Sequence, residues 1–197
     1  MISPKDEYRC TYSISHLGKL SSQEISVQTK ACLWNSFILV AQRCSEKERH
    51  LDAFARATLP WVVEWILNAS MTDDAVPLTG ALQVVFIVLT RLKSASCFEG
   101  QSTPRQATMK MIYEKSLEIL NTVNASGGNA LHLTALKVIL ALATIDSIDT
   151  QSAALVGCHL QAVYQVIGEL AKNNSDSEVT SLATKILRVF KNNEVVM

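Results

Sequence analysis

From Ala130 to Ile145 the chain reads ALHLTALKVILALATI, and only His132, Thr134, Lys137 and Thr144 interrupt its apolar character. A helix that is apolar around nearly its whole circumference must be covered on several sides. The stretch is too short, and with Lys137 too charged, to read as a membrane span, which needs about 20 apolar residues. The pattern therefore predicts a buried central helix with neighbours before and after it in the chain.

The flanking segments carry narrower stripes. Ser3 and Pro4 open a predicted helix over residues 5–19, marked by Tyr8, Tyr12 and Leu17. Ser21 and Glu24 have the spacing of a capping box and open a second helix running to about Cys44, in which Val27, Ala31, Trp34, Ile38 and Ala41 recur at three and four residues. Ser45 and Glu48 repeat that spacing ahead of Leu51, Phe54 and Ala55, and Pro60 predicts a kink or a restart at Leu59 before Trp61, Val62, Trp65 and Ile66. Asp73 and Asp74 read as a solvated loop or as the approach to the next helix, and Pro77 opens a helix to about Lys93. Its β-branched middle, VVFIVL, is read as helical because an isolated strand would leave unpaired edges. Residues 95–103 read as a flexible joint. Thr103 and Pro104 open the next helix, with Met109, Tyr113, Leu117 and Leu120 on its buried face. Asp149 or Thr150 caps a helix to about Lys172, and a third capping box, Ser175 and Glu178, precedes the last one.

Paired in order, these helices give second members starting near residues 22, 77, 129 and 177, at intervals of 55, 52 and 48 residues. In three of them an apolar residue is followed four later by alanine: Val27 and Ala31, Leu131 and Ala135, Val179 and Ala183. A small residue there permits close approach of a neighbouring helix. This resembles the second helix of HEAT and armadillo-type repeats, whose two-helix or three-helix units are about 40 to 47 residues long. Pro77 and Ala81 follow the pattern loosely, and the aspartate and arginine pair of many HEAT repeats has no counterpart. The resemblance implies an all-α fold, an α-solenoid of about four antiparallel helix pairs in a single domain over 1–197, with repeats at 4–44, 45–94, 103–145 and 149–191. It also implies a scaffold or adaptor that binds a partner along the second helices, as a free-standing array or as the end segment of a longer HEAT/ARM-type protein.

Composition alters this picture in one respect. The 18 basic and 18 acidic residues cancel, so no global field draws the protein to nucleic acid or to an anionic membrane. The cations are nevertheless unevenly placed. The second helices carry Lys30, Arg43, Arg91, Lys93, Lys137, Lys185, Arg188 and Lys191 against Glu24 and Glu178, while the first helices are mixed. In a solenoid one helix of each pair lines the inner surface. Lys30, Arg91, Lys93, Lys137, Lys185 and Arg188 are accordingly the candidate partner-binding residues, facing an acidic protein segment or, as the alternative, a nucleic-acid backbone.

Catalytic signatures do not occur: there is no glycine-rich phosphate loop, no G-x-S-x-G, no H-E-x-x-H and no calcium loop. Cys10 with His16 and Cys158 with His159 are poorly spaced for a shared ligand. No enzyme activity, cofactor or metal is expected. The five cysteines form no C-x-x-C pair and read as buried free thiols, and Trp61 and Trp65, one turn apart, read as core. The charged N-terminal stretch MISPKDEYRC lacks a secretory apolar run, so a cytoplasmic or nuclear location without membrane insertion is expected.

Overall fold

A computed structural model of the protein describes residues 26–71, 73–91, 105–122, 128–146 and 160–194. Among these the fold is all-α, with seven helices: α1 (Val27–Cys44), α2 (Glu48–Asn68), α3 (Ala75–Arg91), α4 (Arg105–Asn121), α5 (Gly128–Asp146), α6 (Leu160–Asn173) and α7 (Ser177–Glu194). The helix expected over 5–19, the Ser21 and Glu24 box, the joint at 95–103, Lys93, and Cys10, Cys97 and Cys158 lie outside the described residues. VVFIVL is helical within α3.

The helices pack as two interleaved series. α1 lies against α3, α3 against α5 and α5 against α7, while α2 lies against α4 and α4 against α6. Members of the two series also meet: α2 touches α1 and α3, α4 touches α5, and α6 touches α7. The apolar stretch 130–145 thus finds neighbours on three sides, and Leu131, Ala135, Leu136, Val138, Ile139, Leu142 and Ala143 are buried there. The small residues expected at close approaches are buried as well: Ala81, Ala135 and Ala183 have no exposed surface.

α1 departs from that pattern. Val27 is exposed and Ala31 only half-buried, while Trp34, Ile38 and Ala41 of the expected stripe make its buried face together with Phe37. Trp34 sits against α3 at Gly80, where an added Cβ would stand 2.6 Å from the Trp34 Cβ. Glycine is therefore required by space, despite its cost inside a helix of about 1 kcal/mol relative to alanine. Trp61 and Trp65 of α2 complete an aromatic cluster, with ring centroids 5.6 and 5.0 Å from that of Trp34. Trp65 belongs to the core, and Trp61, half-buried, packs against it. The outward face of α1 carries exposed Leu39, Val40 and Cys32; Cys32 is thus not a buried thiol.

Three local expectations are corrected. α2 runs unbroken through Pro60. There is no restart at Leu59; Pro60 and Arg56, whose carbonyl loses its helical donor, are both exposed residues. Ser45 does not cap α2. It closes α1, its hydroxyl donating to the Gln42 carbonyl at 2.6 Å, and Lys47 occupies the cap position without a side-chain bond. At α7 the cap is Asp176 rather than Ser175: its Oδ1 accepts from the amides of Glu178 at 2.8 Å and Val179 at 3.3 Å. Aspartate there satisfies two of the four amides that a helix start leaves without helical acceptors.

Candidate interaction surface

The second-helix series positions the candidate cations, and it treats them unequally. Lys30, in the first turn of α1, reaches across to the residue preceding α3, and its Nζ donates to Asp74 Oδ1 at 2.8 Å. The two side chains are only 18% and 15% exposed, so the pair is enclosed in the seam between α1 and α3. Asp74 itself starts α3, its carbonyl accepting from the Leu78 amide at 2.7 Å. Of the two readings of its neighbourhood, Asp74 takes the approach to the next helix rather than a solvated loop. Asp73, exposed, is held by Ser70, whose hydroxyl donates to its Oδ2 at 3.0 Å.

A comparable arrangement joins α5 to α7. Asn129, at the start of α5, donates from Nδ2 to Asp176 Oδ2 at 3.0 Å, and Lys137 lies 3.7 Å from Glu178 Oε1. In both seams a polar side chain of one second helix holds an acid at the start of the next. The acid is well placed for this, because negative charge at a helix N-terminus is favoured by the aligned peptide dipoles. The first-helix series behaves differently: Arg56 pairs with Asp52, Lys110 with Glu114 and Lys115 with Glu118, each within its own helix.

The six candidates are therefore not gathered into one site. Lys30 is committed to Asp74, and Lys137 is shared with Glu178. Arg91 is exposed at the last residue of α3, and Lys93 lies outside the described residues. Lys185 and Arg188 stand together on the exposed face of α7, with Lys191 one turn further on, and none of the three has an ion-pair partner among the described residues. Sequence reasoning missed the acids that answer the lysines. A usable signal was present: aspartate occurs immediately before α3 and immediately before α7. Among the described residues no group of three or more histidine, cysteine, aspartate or glutamate side chains is arranged to hold a metal ion, and no helix is long and apolar enough to cross a membrane.

Comparison with known family models, curated proteins and solved structures finds no match to this chain.

Proposed function

We propose that the two helix series are the two layers of a HEAT/armadillo-like α-solenoid, and that the protein is a non-catalytic scaffold or adaptor which holds a protein partner along the second helices α1, α3, α5 and α7. The observation that carries this reading is the split in charge handling. The ion pairs of the first-helix series stay within one helix, with Arg49 and Lys172 exposed and outside those pairs, whereas the second-helix series is tied across α1–α3 and α5–α7 and still presents Arg91, Lys185 and Arg188 to solvent. Stacked repeats of this kind form extended surfaces suited to macromolecular partners. The reading places the protein in the cytoplasm or nucleus, as a free-standing array or as part of a longer one.

The test compares the two surfaces. The intact chain is immobilised and its partner recovered from native cells. Capture is then repeated with Arg91, Lys185 and Arg188 reversed to glutamate and, separately, with Glu64 and Glu169 of the first helices reversed to lysine. Loss confined to the second-helix variant supports the reading. Loss confined to the first-helix variant overturns it.

A further inference from the structure

We propose that the exposed face of α7 formed by Lys185, Arg188 and Lys191 receives the acidic first turn of a helix from a protein partner. The proposal rests on the second-helix series being the interaction side, and it specifies the partner chemistry at one place on it. The protein already contains the interaction twice. Lys30 holds Asp74 at the start of α3, and Lys137 with Asn129 holds Glu178 and Asp176 at the start of α7.

Lys185 occupies on α7 the place that Lys137 occupies on α5. Each lies six residues after a fully buried apolar residue, Leu131 or Val179, and two after a fully buried alanine, Ala135 or Ala183. Lys137 has its acid, while Lys185 has none among the described residues. Arg188 and Lys191 follow at successive three-residue steps on exposed positions, each about 4.5 Å further along the axis at a rise of 1.5 Å per residue. Carboxylates at the cap and third positions of an incoming helix have the same three-residue spacing. Thr184 and Leu187, both half-buried, flank these cations on the same helix. Among the described side chains of α7 the only acid is Glu178, and its carboxylate lies beside Lys137. An acid-headed helix fits better than a nucleic-acid backbone. Three cations on one helix of a chain whose charges cancel supply a short patch and not the long track that phosphates require.

The test uses the intact chain and a fluorescent alanine-rich peptide of about 18 residues, long enough to be helical alone. One peptide opens with Asp-Ser-Glu-Glu, which places carboxylates at the cap and third positions, and its control with Asn-Ser-Gln-Gln; binding is read by anisotropy at low salt and at about 0.3 M salt. The acidic peptide is expected to bind about tenfold more tightly than the control at low salt, as two or three exposed ion pairs allow, with the difference shrinking at high salt. K185E/R188E is expected to abolish the difference, and Arg43→Glu on α1 to preserve it. The milder K185Q/R188Q pair, checked for native helicity by circular dichroism, covers the case in which the charge reversal disturbs folding, and it is also expected to remove most of the preference. Equal binding of the two peptides, or a preference that survives both α7 variants, overturns the proposal. So does tighter, α7-dependent binding of a short single-stranded RNA than of the acidic peptide. If the peptide preference fails while native partner capture still depends on second-helix charges, the scaffold reading stands and the α7 assignment falls.

Discussion

The α1–α3 seam and the α5–α7 seam join neighbours of the same series, yet they are built from different materials. The first is closed by aromatic bulk on Gly80, with the Lys30–Asp74 pair mostly withdrawn from water. The second joins helices whose buried residues include Leu131, Ala135, Val179 and Ala183, and its polar ties are more open: the Lys137 and Glu178 side chains are 38% and 67% exposed. The difference shows that a common helix order does not require a common seam. An ion pair gains little in water and becomes consequential when partly enclosed, so the same contact type matters at one seam and hardly at the other.

The largest expected effect lies at the centre of the first seam. Trp34→Ala should lower stability by about 3 to 5 kcal/mol, measured by urea denaturation, because a fully buried ring with three aromatic neighbours is replaced by a cavity. A loss below about 1 kcal/mol would mean that the seam collapses to fill the space. Next in size is Gly80→Ala. Alanine is the better helix former, yet the added methyl must displace a Cβ anchored to backbone rather than the far end of a flexible side chain, so a net loss of about 1 to 3 kcal/mol is expected. Gly168→Ala in α6 is the control. Nothing lies within 4 Å of the added atom, and a gain of about 0.5 to 1 kcal/mol should follow from helix propensity alone.

Two lysine variants compare the polar ties directly. Lys30→Met leaves a mostly enclosed carboxylate without its partner and should cost about 1.5 to 3 kcal/mol. Lys137→Met should cost less than about 1 kcal/mol and become indistinguishable from the parent at high salt. Equal losses at the two lysines would show the seams to be energetically alike despite their different enclosure.

Much of the helix order was legible in the sequence, because apolar residues at three-residue and four-residue spacing report burial directly. The buried Ala135 and Ala183 follow from that spacing, while the central helix was read from its nearly continuous apolar run and VVFIVL from the want of strand partners. Chain punctuation was less legible. Ser45 and Glu48 have capping-box spacing, but the serine hydroxyl is taken by the helix it ends. Pro60 looks like a break until its exposed position is known. The candidate surface was the least legible part. Lysines at similar helical positions differ in availability according to acids far along the chain, as with Lys30 and Asp74, which are 44 residues apart. The spacing around each lysine does not name such a partner; the aspartates just before α3 and α7 were the usable sign.

The aromatic cluster has a consequence for how this protein can be observed. All three tryptophans of the chain, Trp34, Trp61 and Trp65, stand together where α1 meets α2. Intrinsic fluorescence therefore watches one extremity of the described fold and is blind to α5, α6 and α7, whereas far-ultraviolet ellipticity averages over every helix. In an array whose members contact mainly their neighbours, loss of order can travel from one extremity to the other, and disagreement between these two optical signals during heating would time its passage.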